Sequence, residues 1–138
     1  MKKHTFKTLL AAVGMLGVIG YASVVLAGDP EPNKKRGQVY FKMVCTVCHV
    51  QMTGKAYPPN GRKMAEWRAY LEADKHDVSG KTNGSVRYYV SQGYRQSIKA
   101  SNKAAEKFLT LSDAQLFSDV QAFMISGGKD SDTPASCN

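Results

Sequence analysis

The sequence predicts an all-α domain of about four helices. Three observations carry that expectation. Apolar residues recur at helical rather than alternating spacing, as in Val39, Tyr40, Met43 and Val44 or Leu116, Phe117, Val120, Phe123 and Met124. Helix start signals precede several of these runs, clearest at Ser112-Asp113-Ala114-Gln115. No pair of alternating runs joined by a tight turn is visible, so nothing offers a strand its partner.

The elements follow in order. Residues 1–27 read as a secretory leader: Lys2, Lys3 and Lys7 open it, an uncharged run follows from Thr8 to Ala27, and Val25-Leu26-Ala27 ends it on a small residue at an acceptable cleavage site. The run is long enough to stay as a membrane anchor instead. Residues 28–130 form one domain. The whole chain carries +8, and three of its 19 basic residues lie in the leader. The remainder holds 16 basic against 11 acidic residues, a balance of +5 suited to an acidic partner. Nucleic acid is not expected of an exported chain whose basic residues are scattered.

Within the domain, a first helix is expected over residues 33–46 after Pro32. Gly37 inside it costs about 1 kcal/mol relative to alanine, which suggests a close backbone approach. "GKAYPPNGRK", residues 54–63, is a loop by composition. "MAEWRAYLEADK", 64–75, is helical with Met64, Trp67 and Leu71 on one face. "SVRYYVSQG", 85–93, has β-branched and aromatic residues that would permit a strand. Ser85 as a cap and the lack of a pairing strand favour helix. "YRQSIKASNKAAEKF", 94–108, reads as a loop. A last helix follows Ser112 and ends at Gly127-Gly128. Residues 131–138 read as a flexible tail carrying Cys137, which could link a dimer of an otherwise monomeric chain.

The chemistry concentrates in "VCTVCHV", residues 44–50. A structural zinc wants four ligands, and beyond Cys45, Cys48 and His49 only His76 and Cys137 remain after the leader. A thioredoxin-like dithiol follows a strand in an α/β pattern, whereas this stretch reads as helix. Covalent haem attachment fits best: in C-x-x-C-H both thiols bond one edge of the macrocycle and the adjoining imidazole binds the iron. Cys45 and Cys48 are then thioether anchors, and His49 is the proximal ligand.

The pattern Gly37-x-x-x-Phe41-x-x-x-Cys45-x-x-Cys48-His49, with "LTLSDAQLFSDVQAFMISGG" near the other end, resembles the class I cytochrome c family from about Lys34 to Gly128. The resemblance implies helices wrapped around one covalently attached haem c, with the first and last packed crosswise. It implies that a proline carbonyl, from Pro58 or Pro59, accepts the proximal histidine's N–H, and that Trp67 donates to a haem propionate. The family also presents a methionine as sixth ligand, yet residues 94–108 contain none. His76, in a connection longer than in short family members, is the expected replacement. Lys99, Lys103 and Met64 are the alternatives.

This reading implies no enzyme, but a periplasmic one-electron carrier between membrane-bound redox partners, such as multihaem cytochromes, a quinol-oxidising complex or a terminal oxidase. Membrane contact would come only through those partners or a retained leader. An open distal position would instead give a gas-binding or sensing haem protein, or a small haem enzyme. Lys42, Lys55, Arg62 and Lys63 are expected on a positive rim, joined by Arg95, Lys99 and Lys103.

Overall fold

The computed structural model describes residues 31–76 and 82–137; the expected leader and Asp77 to Lys81 of the His76 connection lie outside them. The first helical segment starts where Asn33 caps it, its side chain accepting the Arg36 N–H at 2.9 Å. It runs past the expected residue 46. Helix α1, Lys34–Tyr40, continues into a π-helical stretch, Phe41–Thr46, and then into α2, Val47–Thr53. Gly54 stops it at φ 69°, the left-handed conformation that glycine adopts without a Cβ penalty. The wider π turns shift the helix phase as the chain enters the cysteine motif. Gly37, Tyr40, Phe41 and Val44 face the core before the shift, and α2 buries none of its residues after it.

Helix α3, Met64–Glu72, ends a turn earlier than the sequence predicts. Asp74 takes φ 49°, and an aspartate tolerates that left-handed turn better than most residues. The chain thus leaves the helix axis just before His76. The 85–93 segment is helical, but Ser91 divides it into α4, Val86–Val90, and α5, Gln92–Ile98. Ser85 and Ser91 each accept an N–H from three residues on, at 3.2 Å. The expected 94–108 loop is largely helix: most of α5 falls in it, and α6, Lys103–Glu106, follows the Asn102 cap. Helix α7, Asp113–Ser126, begins at Ser112 as expected. Only half of its capping box forms, because the Gln115 amide turns to Glu31 and Asp119. Among the described residues there is no strand, so the all-α expectation holds. None of the described helices is long and apolar enough to cross a membrane.

The most extensive helix pair is α1 on α7, followed by α3 on α7. A Cβ built on Gly37 would stand 2.0 Å from the Asp119 carbonyl oxygen, so the two backbones touch there. Beneath that contact the fully buried Asp119 carboxylate pairs with Arg36 and accepts the Asn33 N–H at 2.7 Å. Arg36 is held above its usual pKa, chiefly by this hydrogen bond. Leu116, Val120 and Phe123 of α7 complete the core with Tyr40, Phe41 and Leu71.

Two expectations are corrected here. Arg95 is fully buried and does not reach a surface rim. Its guanidinium donates to the carbonyls of Phe108 and Leu111 and to Asp113, which compensates the buried charge and ties α5 to the start of α7. The tail docks instead of extending into solvent. The Ala135 N–H donates to Gly127 at 2.9 Å, the Ala135 carbonyl accepts from Asn60 at 3.0 Å, and Cys137 Sγ lies 3.9 Å from Thr46 Oγ1.

Gly37→Ala should push α1 off α7 and cost about 2–3 kcal/mol by overpacking, read as a lower denaturation midpoint in urea. An unchanged midpoint would show that the helices can part cheaply.

Candidate functional site

The cysteine motif spans the end of the π stretch and the first turn of α2. Cys45 packs against the core, and burial, aided by nearby Cys48, pushes its thiol up to about 12. Cys48 Sγ lies 3.6 Å from Met52 Sδ, one helical turn on. Tyr94 of α5 closes over the pair. Burial, followed by the charges the two thiols would carry, raises its hydroxyl above the usual tyrosine value.

His49 follows on α2, half-buried, with its ring edge-on to Tyr57 at 5.2 Å between centroids. Its Nε2 faces His76 Nε2 at 3.4 Å. Burial first, and the neighbouring imidazole second, lower the His49 pKa, which favours the neutral ring that a metal requires. His49 Nδ1 is buried without a hydrogen-bond partner.

His76 is presented by the turn after α3. Its backbone N–H donates to Gly84 at 2.8 Å, and its ring lies 5.0 Å from that of Tyr89. Asp74 accepts the Ser85 hydroxyl at 2.6 Å and the Arg87 N–H at 2.9 Å, so the connection is drawn together at its base. Burial opposes ionisation of Asp74, but these donors hold its pKa below the usual value.

Cys45, Cys48 and His49 thus share one helical segment, and His76 meets that segment at His49. The proline and tryptophan contacts differ from expectation. The one Trp67 indole N–H donates to the Pro59 carbonyl at 2.6 Å, which removes it as a donor to a propionate. The Pro58 carbonyl accepts from Gly61 at 3.0 Å, and neither proline receives His49 Nδ1. The alternative distal ligands lie in other settings. Met64 opens α3 against Gly128, Lys99 follows α5, and Lys103 begins α6 with its side chain exposed. Sequence reasoning missed Tyr57, Tyr89 and Tyr94. The crowding of Tyr88, Tyr89 and Tyr94 within seven residues was the available signal.

The surface around the motif is apolar. Val47 is 38 % exposed, Val50 46 % and Met52 56 %, and Met43 and Tyr57 flank them, also exposed. Helix α2 thus carries apolar side chains and buries none of them. Among the described residues no three His, Cys, Asp or Glu side chains converge as a metal site.

In the reduced polypeptide, Cys45 should alkylate about a thousandfold more slowly near neutral pH than an unperturbed thiol, in proportion to its thiolate fraction. Mass spectrometry of timed iodoacetamide reactions would read this, and fast labelling of Cys45 would mean that the motif helix opens readily.

No protein-family model matches the chain, and the comparisons with curated proteins and with solved structures give no match either.

Proposed function

We propose that the chain is an exported one-electron carrier holding a single covalent haem, with Cys45 and Cys48 as anchors and His49 and His76 as axial ligands. The approach of His49 Nε2 to His76 Nε2, at 3.4 Å, carries this reading. Two imidazoles bound on opposite sides of one metal, each at roughly 2.0–2.1 Å by the zinc value, would stand about 4 Å apart. On a tetrahedral ion the same bonds would put the nitrogens roughly 3.3 Å apart, closer to the observed gap. A tetrahedral structural site needs two further protein ligands, and no third His, Cys, Asp or Glu joins the pair among the described residues. A macrocycle would supply the remaining four bonds itself, so two histidines would suffice once their gap widened by about 0.6 Å from 3.4 Å.

Two further observations support the same group. The apolar side chains Val47, Val50 and Met52 beside the motif suit a large flat hydrophobic partner. The packing of α1 on α7 at Gly37 matches what the class I cytochrome c resemblance implies.

Bound haem would supply a one-electron couple at iron. His49 and His76 would hold the iron through their ring nitrogens, so that the chain rather than a substrate would occupy it. Two imidazoles place the potential below that of a histidine–methionine pair. Burial, and then the neighbouring His76, lower the His49 pKa and so favour the neutral ring. The exposed Lys55, Lys63 and Lys103, with Lys42, Arg62 and Lys99, supply positive charge for steering toward acidic redox partners in the periplasm.

The haem-loaded protein should show low-spin spectra in both redox states, no prompt change under carbon monoxide, and a potential below the histidine–methionine range. His76→Ala should turn it high-spin and open it to carbon monoxide. A wild-type protein that binds the gas at once would favour the sensor reading, and an unchanged spectrum in His76→Ala would remove His76 as ligand.

Electron-transfer rates with an acidic redox protein should fall as ionic strength rises from 0.01 to 0.15 M, while the Debye length shrinks from about 30 to 8 Å. Stopped-flow rates that stay flat would leave the lysines a solubilising role only.

A further inference from the structure

Tyr89 joins the segment that carries His49 to the segment that carries His76. Its ring packs on the His76 imidazole, with centroids 5.0 Å apart and planes inclined by 45°. Its hydroxyl accepts the Asn83 N–H at 2.7 Å and donates to the Asn83 carbonyl at 3.2 Å. The neighbouring Gly84 carbonyl is the acceptor for the His76 N–H. One side chain thus touches the His76 ring directly and anchors the backbone that holds it.

The other tie runs to the motif helix. The Tyr89 carbonyl accepts the Tyr40 hydroxyl at 2.6 Å. Tyr40 is wholly buried at the end of α1, where the π stretch leading to Cys45 begins, and its ring meets Phe108 edge-on at 5.0 Å. Movement of Tyr89 would therefore change where His76 stands relative to His49. Tyr94 meets the Tyr89 ring edge-on, with centroids 5.1 Å apart at 81°, so the ring is fixed by more than its own hydroxyl.

Resting on the ligand pair proposed above, we propose that Tyr89 is a positioning residue: it holds the His76 ring toward His49 and thereby sets how readily an external ligand replaces His76. The ring and the hydroxyl make separable contributions. The ring limits the tilt of the imidazole. The hydroxyl holds Asn83 through two hydrogen bonds, the second of them long, and losing both should raise the population that has let go by roughly tenfold.

Cyanide titration of the ferric, haem-loaded protein reads that population, because apparent affinity scales with the fraction in which the distal position is open. Tyr89→Phe should bind cyanide about tenfold more tightly than wild type, and Tyr89→Leu more tightly still, approaching His76→Ala. Tyr88→Phe, in the same ring cluster, should match wild type. If His76→Ala gains affinity while both Tyr89 variants match wild type, Tyr89 does not position the ligand and the histidine pair stands. If His76→Ala itself matches wild type, the pair and the role of Tyr89 fall together. Should Tyr89→Leu lose its helical circular dichroism, Tyr89→Phe, which keeps the ring, decides alone.

Discussion

Backbone lies against backbone where Gly37 of α1 meets Asp119 of α7, and the placement of the motif follows from that contact. Any side chain at Gly37 would separate the helices. The carboxylate of the residue contacted there is buried, and it gathers Arg36, Asn33 and Gln115 around itself. One residue of α7 thus offers its main chain to α1 and its side chain to the segment that starts α1. With that end fixed, the continuous helix can project its second half, with Cys48 and His49, away from the core without drifting.

The π stretch Phe41–Thr46 lets a single helix serve two purposes. An unbroken α-helical phase carries one face along its length. Here the extra residue per turn rotates the later side chains, so that Phe41 and Val44 stay inside while Val47 and Val50 emerge. The motif gains a rigid base and an exposed working face together. His76 approaches that face from a turn pinned by Asp74 to the start of α4, so both histidines are carried by segments tied to the core.

Features written in local residue order were legible in the sequence. The cap at Ser112, the close approach at Gly37, the helical choice for residues 85–90 and the cysteine motif all depend on spacing over a few positions. Features set by distant partners were not. Arg95 looks like surface charge until the Phe108 and Leu111 carbonyls and Asp113 converge on it. Trp67 finds Pro59 through a loop whose path composition does not reveal. Helices α5 and α6 were hidden because their apolar members, Tyr94, Ile98, Ala105 and Phe108, are diluted among polar residues. The docked tail is held largely by main-chain hydrogen bonds, to which side-chain identity gives little clue. His76 drew notice as the remaining imidazole outside the leader, but the packing of Tyr57 on His49 and of Tyr89 on His76 follows from the fold alone.

The docked C-terminus also matters for handling the protein. Ala135 bridges Gly127 and Asn60, and Cys137 ends beside Thr46, between the two motif cysteines. The residues around Cys137 therefore lie beside the segment that carries the motif. An affinity handle placed there would compete for the same space, and cutting the chain back to Gly128 would uncover the flank of that segment.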